Sequence, residues 1–121
     1  MADYRKLKVF DKAHALMVHT HRVAKGIRHS RDKGLQSQMI RAAQSIPTNI
    51  VEGRRQKTDK QFGRFLWIAL NSATELEYHV TAARDIEVIS DADSDSIQSE
   101  TVEVRKMLYG LLRTLGDEGE Q

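Results

Sequence analysis

The amino-acid sequence predicts a single all-α domain folded as an antiparallel up-down-up-down four-helix bundle. Its 121 residues suit one domain, and apolar residues recur at helical spacing in four separate segments. With one proline and 6% aromatic residues, the chain has too few turn-forming and strand-favouring residues for a β-sandwich. We expect helices over residues 7–28, 35–52, 59–86 and 91–115, with a frayed tail over 116–121. The short connections favour antiparallel neighbours.

The first two predicted helices are separated by a polar stretch at 30–34, which indicates a loop. The second helix should end at Gly53, because glycine suits a helix C-terminus. Pro47 lies inside it and removes the hydrogen bond to the Ala43 carbonyl, so we expect a kink or a short break there. The apolar stripes of these helices are Val9, Phe10, Ala13, Leu16, Met17, Val23, Ala24 and Ile27, and then Leu35, Met39, Ala42, Ala43, Ile46 and Ile50.

The third and fourth predicted helices have clear start signals. Thr58 is a suitable N-cap, with Gln61 completing a capping box. Ser90 can cap the fourth helix after a turn at 87–90. Their core stripes are Phe62, Leu66, Ala69, Ala73, Leu76, Val80 and Ala83, and then Ile97, Thr101, Val104, Leu108, Leu111 and Leu115.

Further apolar residues fall away from these stripes, in pairs seven or eleven residues apart on three helices. One core stripe is enough for a monomeric bundle, and contiguous exposed apolar surface usually marks an interface. Scattered exposed hydrophobes, which are normal on monomers, are the alternative. The candidate oligomer-interface residues are Ile40, Val51, Trp67, Tyr78, Val102 and Tyr109.

The composition argues against an enzyme, a cofactor protein or a metal protein. The chain has no cysteine, which excludes a disulfide framework and thiolate metal sites. Glu75 and His79 are four residues apart rather than the three of a di-metal bundle motif, and His14 and His21 have no acidic partners nearby. There is no nucleophile elbow or glycine-rich phosphate loop. No apolar run could span a membrane, so we expect a cytoplasmic location.

Charge is distributed unevenly along the chain. Residues 1–67 hold 15 Lys/Arg and 5 Asp/Glu, whereas residues 68–121 hold 4 and 12. Oppositely charged helices could neutralise each other, or a basic face could bind polyanions. A basic cluster near Trp67 is typical of nucleic-acid binding, and pairing with the acidic fourth helix is the alternative. The candidate nucleic-acid-binding residues are Arg41, Arg54, Arg55, Lys57, Lys60 and Arg64.

Residues 45–53, Ser-Ile-Pro-Thr-Asn-Ile-Val-Glu-Gly, resemble a motif of a known family. The pattern Ser-Ile-Pro-x-Asn-Ile-x-Glu-Gly belongs to the four-helix-bundle family named for proteins encoded in 23S rRNA intervening sequences. That family is similar to the accessory variability proteins of diversity-generating retroelements. Segments 10–13, 34–38, 41–43, 62–72 and 75–77 also fit, as does 83–85 running to 89–90. Phe10 stands where the family often has tryptophan, and Glu87 stands where a glycine is common, so the third turn is expected to differ.

The resemblance implies a homopentameric barrel in the bacterial cytoplasm, without known catalysis. For the retroelement relatives it implies nucleic-acid binding and contact with a reverse transcriptase. The motif residues Pro47, Asn49, Glu52 and Gly53 are interpreted as structural. Asn49 and Glu52 flank the proline and are expected to satisfy the backbone groups that it frees.

Two functions follow from the sequence. The first is a non-enzymatic homo-oligomeric bundle that binds RNA or DNA through the basic cluster. The alternative is a protein-interaction scaffold or accessory subunit that binds no nucleic acid.

Overall fold

The computed structural model describes residues 7–116, and the predicted tail beyond Gly116 lies outside them. Within this range the chain forms four α-helices and no strand. The helices are α1 (Lys8–Ala24), α2 (Lys33–Arg54), α3 (Asp59–Asp85) and α4 (Asp91–Thr114), and a 3-10 turn at Ser30–Asp32 precedes α2. The predicted all-α four-helix architecture is therefore confirmed. None of these helices is both long and apolar enough to cross a membrane.

The helices form a four-sided bundle in which each helix packs against the next and α4 packs against α1. The diagonal pairs, α1 with α3 and α2 with α4, do not come as close within residues 7–116. Side-chain contacts give the helix directions. Residues further along α1 contact residues earlier along α4. The contacts between α2 and α3 and between α3 and α4 follow the same reversed order. These contacts are Lys12–Glu103, His19–Glu100, Gln36–Ala24, Ser45–Ser72, Gly53–Phe62, Gln98–Thr81 and Arg105–Glu77. Neighbouring helices are thus antiparallel.

The core matches the predicted stripes closely in α2 and α3. Every stripe residue of α3 is buried, and so are those of α2 apart from the half-buried Leu35. In α4 the buried residue of the last turn is Leu112, while Leu111 and Leu115 are half-buried. Thr20 of α1 is fully buried, although it is not among the predicted stripe residues.

The predicted caps of α3 and α4 are both present. The Thr58 hydroxyl oxygen accepts a hydrogen bond from the Gln61 N–H at 3.1 Å, and the Ser90 hydroxyl oxygen accepts one from the Asp93 N–H at 3.0 Å. Each cap satisfies one backbone donor that the first helical turn cannot. Side-chain oxygens therefore fix where both helices begin.

The connection between α1 and α2 differs from the prediction. α1 ends at Ala24 rather than near residue 28, because the chain tightens into short-range bonds, with the Ile27 N–H donating to the Ala24 carbonyl at 2.9 Å. Residues 30–32 form the 3-10 turn, and α2 begins at Lys33 rather than at 35. Only part of the predicted loop is therefore irregular.

Helix α2 is continuous through Pro47, so the predicted break is absent, and the kink stays a prediction. The helix also ends at Arg54 rather than at Gly53. Glycine is needed at 53 for a different reason. A Cβ at this position would lie 2.7 Å from Cδ1 of Phe62 and 3.0 Å from Cβ of Phe65. Gly53 therefore allows α2 and α3 to approach closely.

The polar members of the motif bond differently from the expectation. The Asn49 side-chain amide donates to the Ser45 carbonyl at 2.8 Å and to the Ser45 hydroxyl oxygen at 3.0 Å. It does not reach the Ala43 carbonyl that Pro47 leaves without a donor. The Glu52 carboxylate makes no hydrogen bond with any residue in 7–116. Asn49 therefore bonds to Ser45 rather than to the freed carbonyl of Ala43, and Glu52 satisfies no freed backbone group.

The turn after α3 contains a non-glycine residue in a glycine-like conformation. Glu87 has φ of 65°, and the Val88 N–H donates to the Ala83 carbonyl at 2.9 Å. This is the Schellman arrangement, whose left-handed residue is usually glycine because a Cβ is strained there. Glu87, which stands where the family commonly has glycine, thus occupies the position in which glycine would fit best.

Candidate nucleic-acid interface

The basic cluster predicted from the sequence surrounds the short connection between α2 and α3. Only residues 55–58 separate the two helices. The connection is bonded to the last turn of α2, because the Arg55 N–H donates to the Glu52 carbonyl at 3.2 Å and the Gln56 N–H to the Gly53 carbonyl at 3.1 Å. The side chains of Arg55 and Lys57 are exposed, as are those of Lys60 and Arg64 on the first turns of α3. We call these four cations the α2–α3 basic turn.

The α2–α3 basic turn is not neutralised by acidic neighbours. None of its four cations forms an ion pair with another residue in the part of the chain that the structure describes. Two of the five acidic residues of α4 are engaged elsewhere, Glu103 with Lys12 at 3.5 Å and Glu100 with His19 at 2.8 Å. The alternative in which α4 pairs with this cluster is therefore not what the structure shows.

Two other predicted members of the site are placed differently. The Arg54 guanidinium carbon lies 5.0 Å from the centre of the Phe62 ring, so this side chain is packed on the bundle by a cation–π contact. Arg41 is exposed, but it lines a cleft with Ser45, Ser72 and Glu75 midway along α2 and α3. At about 1.5 Å per residue, it lies about 20 Å along the helix from Arg54. Arg41 is thus separate from the α2–α3 basic turn.

Trp67 is not an exposed platform for stacking bases. Its ring packs edge-on against Tyr109 of α4, with ring centroids 5.9 Å apart and planes at 80°. The indole Nε1 is buried and has no hydrogen-bond partner among residues 7–116. Trp67 is therefore part of the α3–α4 packing, and the interpretation that it adjoins the cations as a free aromatic is wrong.

The remaining candidate interface residues are divided between two faces of the bundle. Val51 lines a groove between α1 and α2 with Phe10, Met17 and Pro47, and the half-buried Ile40 packs against the core. On α3, Tyr78 is 68% exposed. On α4, Val102 lies on the outer surface, on the same side as Tyr109. The six residues therefore do not share one face of the bundle.

The histidines and carboxylates are dispersed. Within residues 7–116, no group of three or more of these side chains is placed to hold a metal ion. His79 pairs with Glu75 at 3.3 Å on α3, and the His14 ring stacks on Phe10 with centroids 6.0 Å apart. Each of these contacts joins two residues of the same helix.

Comparison with known proteins gives one family and one fold. The family model described as 23S rRNA-intervening sequence protein matches residues 5–110. Six chains of solved structures match. One is the crystal structure of a protein with unknown function from the S23 ribosomal protein family of Bacteroides thetaiotaomicron VPI-5482. It shares 26% sequence identity with a TM-score of 0.81, over 87% of this chain and 98% of that chain. No curated protein matches the sequence.

Proposed function

The chain belongs to the 23S rRNA-intervening sequence protein family, and from this premise we propose that it is a non-enzymatic, homo-oligomeric bundle that binds RNA or DNA in the cytoplasm. The observation that carries the proposal is the α2–α3 basic turn. Its four exposed cations have no acidic partner within residues 7–116. Unpaired cations can replace the counterions condensed on a phosphate backbone, and the release of those counterions favours binding.

Self-association is supported by apolar side chains on the outer surface of α3 and α4, which are Tyr78, Val102 and the Trp67–Tyr109 pair. Copies that meet head to tail generate a closed ring when the rotation closes. The family resemblance makes five the expected number of copies. Light scattering on the purified protein should therefore give about five times the 13.8 kDa of the chain, and a monomer would refute this part of the proposal.

Binding is tested by titrating the protein into labelled RNA and DNA at several salt concentrations. The double variant Arg55→Ala/Lys57→Ala should bind more weakly. It should also lower the slope of log K against log salt by about 2, because about 0.9 is lost per phosphate contact. Lys106→Ala is the matched control, since it removes an exposed cation from α4. Binding that is absent at low salt, or that is equally weakened by the control, would contradict the proposal.

A second function is favoured by the exposure of Tyr78. A side chain of this size that is 68% exposed suits a protein partner, and the resemblance suggests an accessory role towards a reverse transcriptase. In this alternative, Tyr78→Ala should abolish the contact in a binding assay with a reverse transcriptase encoded nearby, while Arg55→Ala/Lys57→Ala should leave it intact.

A further inference from the structure

A second set of cations lies at the opposite end of the bundle, around the connection between α1 and α2. Its members are all exposed, and we call them the α1–α2 basic turn: Arg22, Lys25, Arg28, Arg31 and Lys33. The one acidic residue in this stretch, Asp32, is 8% exposed and lies 3.5 Å from Arg31. The other four cations form no ion pair with any residue in 7–116. This turn therefore carries as much unpaired positive charge as the α2–α3 basic turn.

Helix α2 joins the two basic turns along a polar ridge. It has 22 residues, which at about 1.5 Å each make about 33 Å. Apart from Gly34, its exposed residues recur every three or four positions, so they line one side of the helix. This α2 ridge consists of Lys33, Ser37, Arg41, Gln44, Thr48 and Glu52. Glu52 is its only acidic member and none is aromatic.

The acidic residues around the connection between α3 and α4 lie away from the α2 ridge, whereas Glu75 lines the cleft that Arg41 also lines. The connection between α3 and α4 carries Asp85, Glu87, Asp91, Asp93 and Asp95 at the same end as the α1–α2 basic turn. However, α4 is diagonal to α2 in the bundle. Among the described residues no ion pair links the α3–α4 connection to the α1–α2 basic turn, and Asp85 pairs with its neighbour Arg84 at 3.1 Å. A polyanion is therefore repelled from the α3–α4 side and attracted to the α2 side.

From this arrangement we infer that a nucleic-acid duplex lies along α2, with its backbone held at both ends by the two basic turns. The inference rests on the proposed function, because it takes the α2–α3 basic turn as one of the two contacts. At about 3.4 Å per base pair, the length of α2 corresponds to about ten base pairs. A duplex is favoured over a single strand because the α2 ridge has no aromatic side chain on which unstacked bases could stack. Contacts to phosphates alone carry no sequence information, so the affinity should depend little on sequence.

The test compares two double variants on hairpins of 5, 10 and 20 base pairs, made of RNA and of DNA. Arg28→Ala/Lys33→Ala and Arg55→Ala/Lys57→Ala should each weaken binding to the longer hairpins, on the order of tenfold or more at 0.1 M salt. Each should lower the salt slope by about 2, and the two losses should multiply. The five-base-pair hairpin spans only half the distance, so affinity should rise sharply between 5 and 10 base pairs. The RNA and DNA arms identify which duplex is preferred.

Glu52→Gln provides a variant that should gain function. Removing the single negative charge from the α2 ridge should tighten binding several-fold, and a misfolded protein would not show such a gain. Lys106→Ala, on α4, should leave the affinity within about twofold. Thermal melting of every variant checks that the fold is intact.

The outcomes separate this inference from the proposed function. If Arg55→Ala/Lys57→Ala weakens binding and Arg28→Ala/Lys33→Ala does not, the duplex along α2 is wrong and the single basic turn stands. Equal affinity for single strands, or no increase with duplex length, also overturns it. If no hairpin and no single strand binds at low salt, the proposed function fails together with the inference.

Discussion

The α2–α3 pair and the α1–α4 pair are both antiparallel neighbours, but they are held together differently. In the α2–α3 pair, Gly53 lets the helices approach, and the Ser72 hydroxyl donates to the Ser45 hydroxyl oxygen at 2.7 Å. In the α1–α4 pair, the polar contacts are the exposed Lys12–Glu103 ion pair and the part-buried hydrogen bond between His19 and Glu100. Inside the bundle, the buried hydroxyls of Thr20 and Ser94 have no partner among residues 7–116.

The difference indicates that close, specific packing is concentrated in the middle of the chain. The α2–α3 pair depends on a missing side chain at one position and on hydroxyl groups at two others. The α1–α4 pair depends on apolar burial and on charges that water screens. Substitutions of similar size should therefore have different effects in the two pairs.

The largest expected effect concerns Gly53. Gly53→Ala places a Cβ 2.7 Å from the buried Phe62 ring, and such overpacking costs about 1–3 kcal/mol, more than the gain in helix propensity. We expect a net loss of about 1–2 kcal/mol in the free energy of unfolding, measured by urea denaturation. Gly110→Ala is the control, since its Cβ would meet nothing within 4 Å. It should gain about 0.5–1 kcal/mol. A stabilised Gly53→Ala protein would show that the close approach is unimportant.

The next effect concerns the hydrogen-bonded hydroxyls of Ser45 and Ser72 in the α2–α3 pair. Ser45→Ala removes the acceptor of Ser72, which is 7% exposed, and one acceptor of Asn49. A buried donor left without a partner costs about 1–3 kcal/mol, so we expect a loss at the lower end of this range. Ser37→Ala, on the exposed side of the same helix, should stay within about 0.5 kcal/mol. Equal melting temperatures for the two variants would show that the hydrogen bonds of the Ser45 hydroxyl do not contribute to stability.

In the α1–α4 pair, a buried hydroxyl should be dispensable. Thr20→Val keeps the shape of the side chain and removes an oxygen without a partner in residues 7–116, so we expect a gain of about 0.5–1 kcal/mol. Thr101→Val is the matched control. Its hydroxyl donates to the Ile97 carbonyl at 2.7 Å, and losing that bond should cost about 0.5–1 kcal/mol. Destabilisation of Thr20→Val by calorimetry would mean that the hydroxyl is bonded in solution.

The smallest effect is expected at the edge of the α1–α4 pair. Glu103→Gln breaks the Lys12 ion pair, in which both side chains are about half exposed, and should change the stability by less than about 0.5 kcal/mol. Glu77→Gln should cost more, because the Glu77–Arg105 contact is 2.8 Å long and less exposed. If chemical denaturation gives the reverse order, exposure does not set the strength of these two ion pairs.

Much of the fold could be predicted from the sequence because helical periodicity and capping are local signals. The stripe from Phe62 to Ala83 and the caps at Thr58 and Ser90 depend on neighbours within a turn of helix, and all are present. The end of α1 was missed because Ile27 is buried without being helical. Periodicity alone cannot distinguish those two situations.

The candidate site was harder to predict because it depends on which helices are neighbours. Trp67 and Tyr109 are far apart in sequence, and only the bundle places one ring against the other. The close approach at Gly53 likewise requires Phe62 of another helix, so the sequence alone suggested a helix end. The α1–α2 basic turn could have been noticed from its five cations in residues 22–33, but its relation to the α2–α3 basic turn required the length and direction of α2.

The contact between Gly53 and Phe62 has a consequence for the kinetics of binding. It fixes the ends of α2 and α3 on either side of a four-residue connection, and Arg54 is held over the same ring. The backbone of the α2–α3 basic turn has therefore already lost its conformational freedom on folding. A preorganised site loses less entropy when its ligand arrives. Loosening this contact should thus shorten the residence time of a bound polyanion, even though no cation is removed.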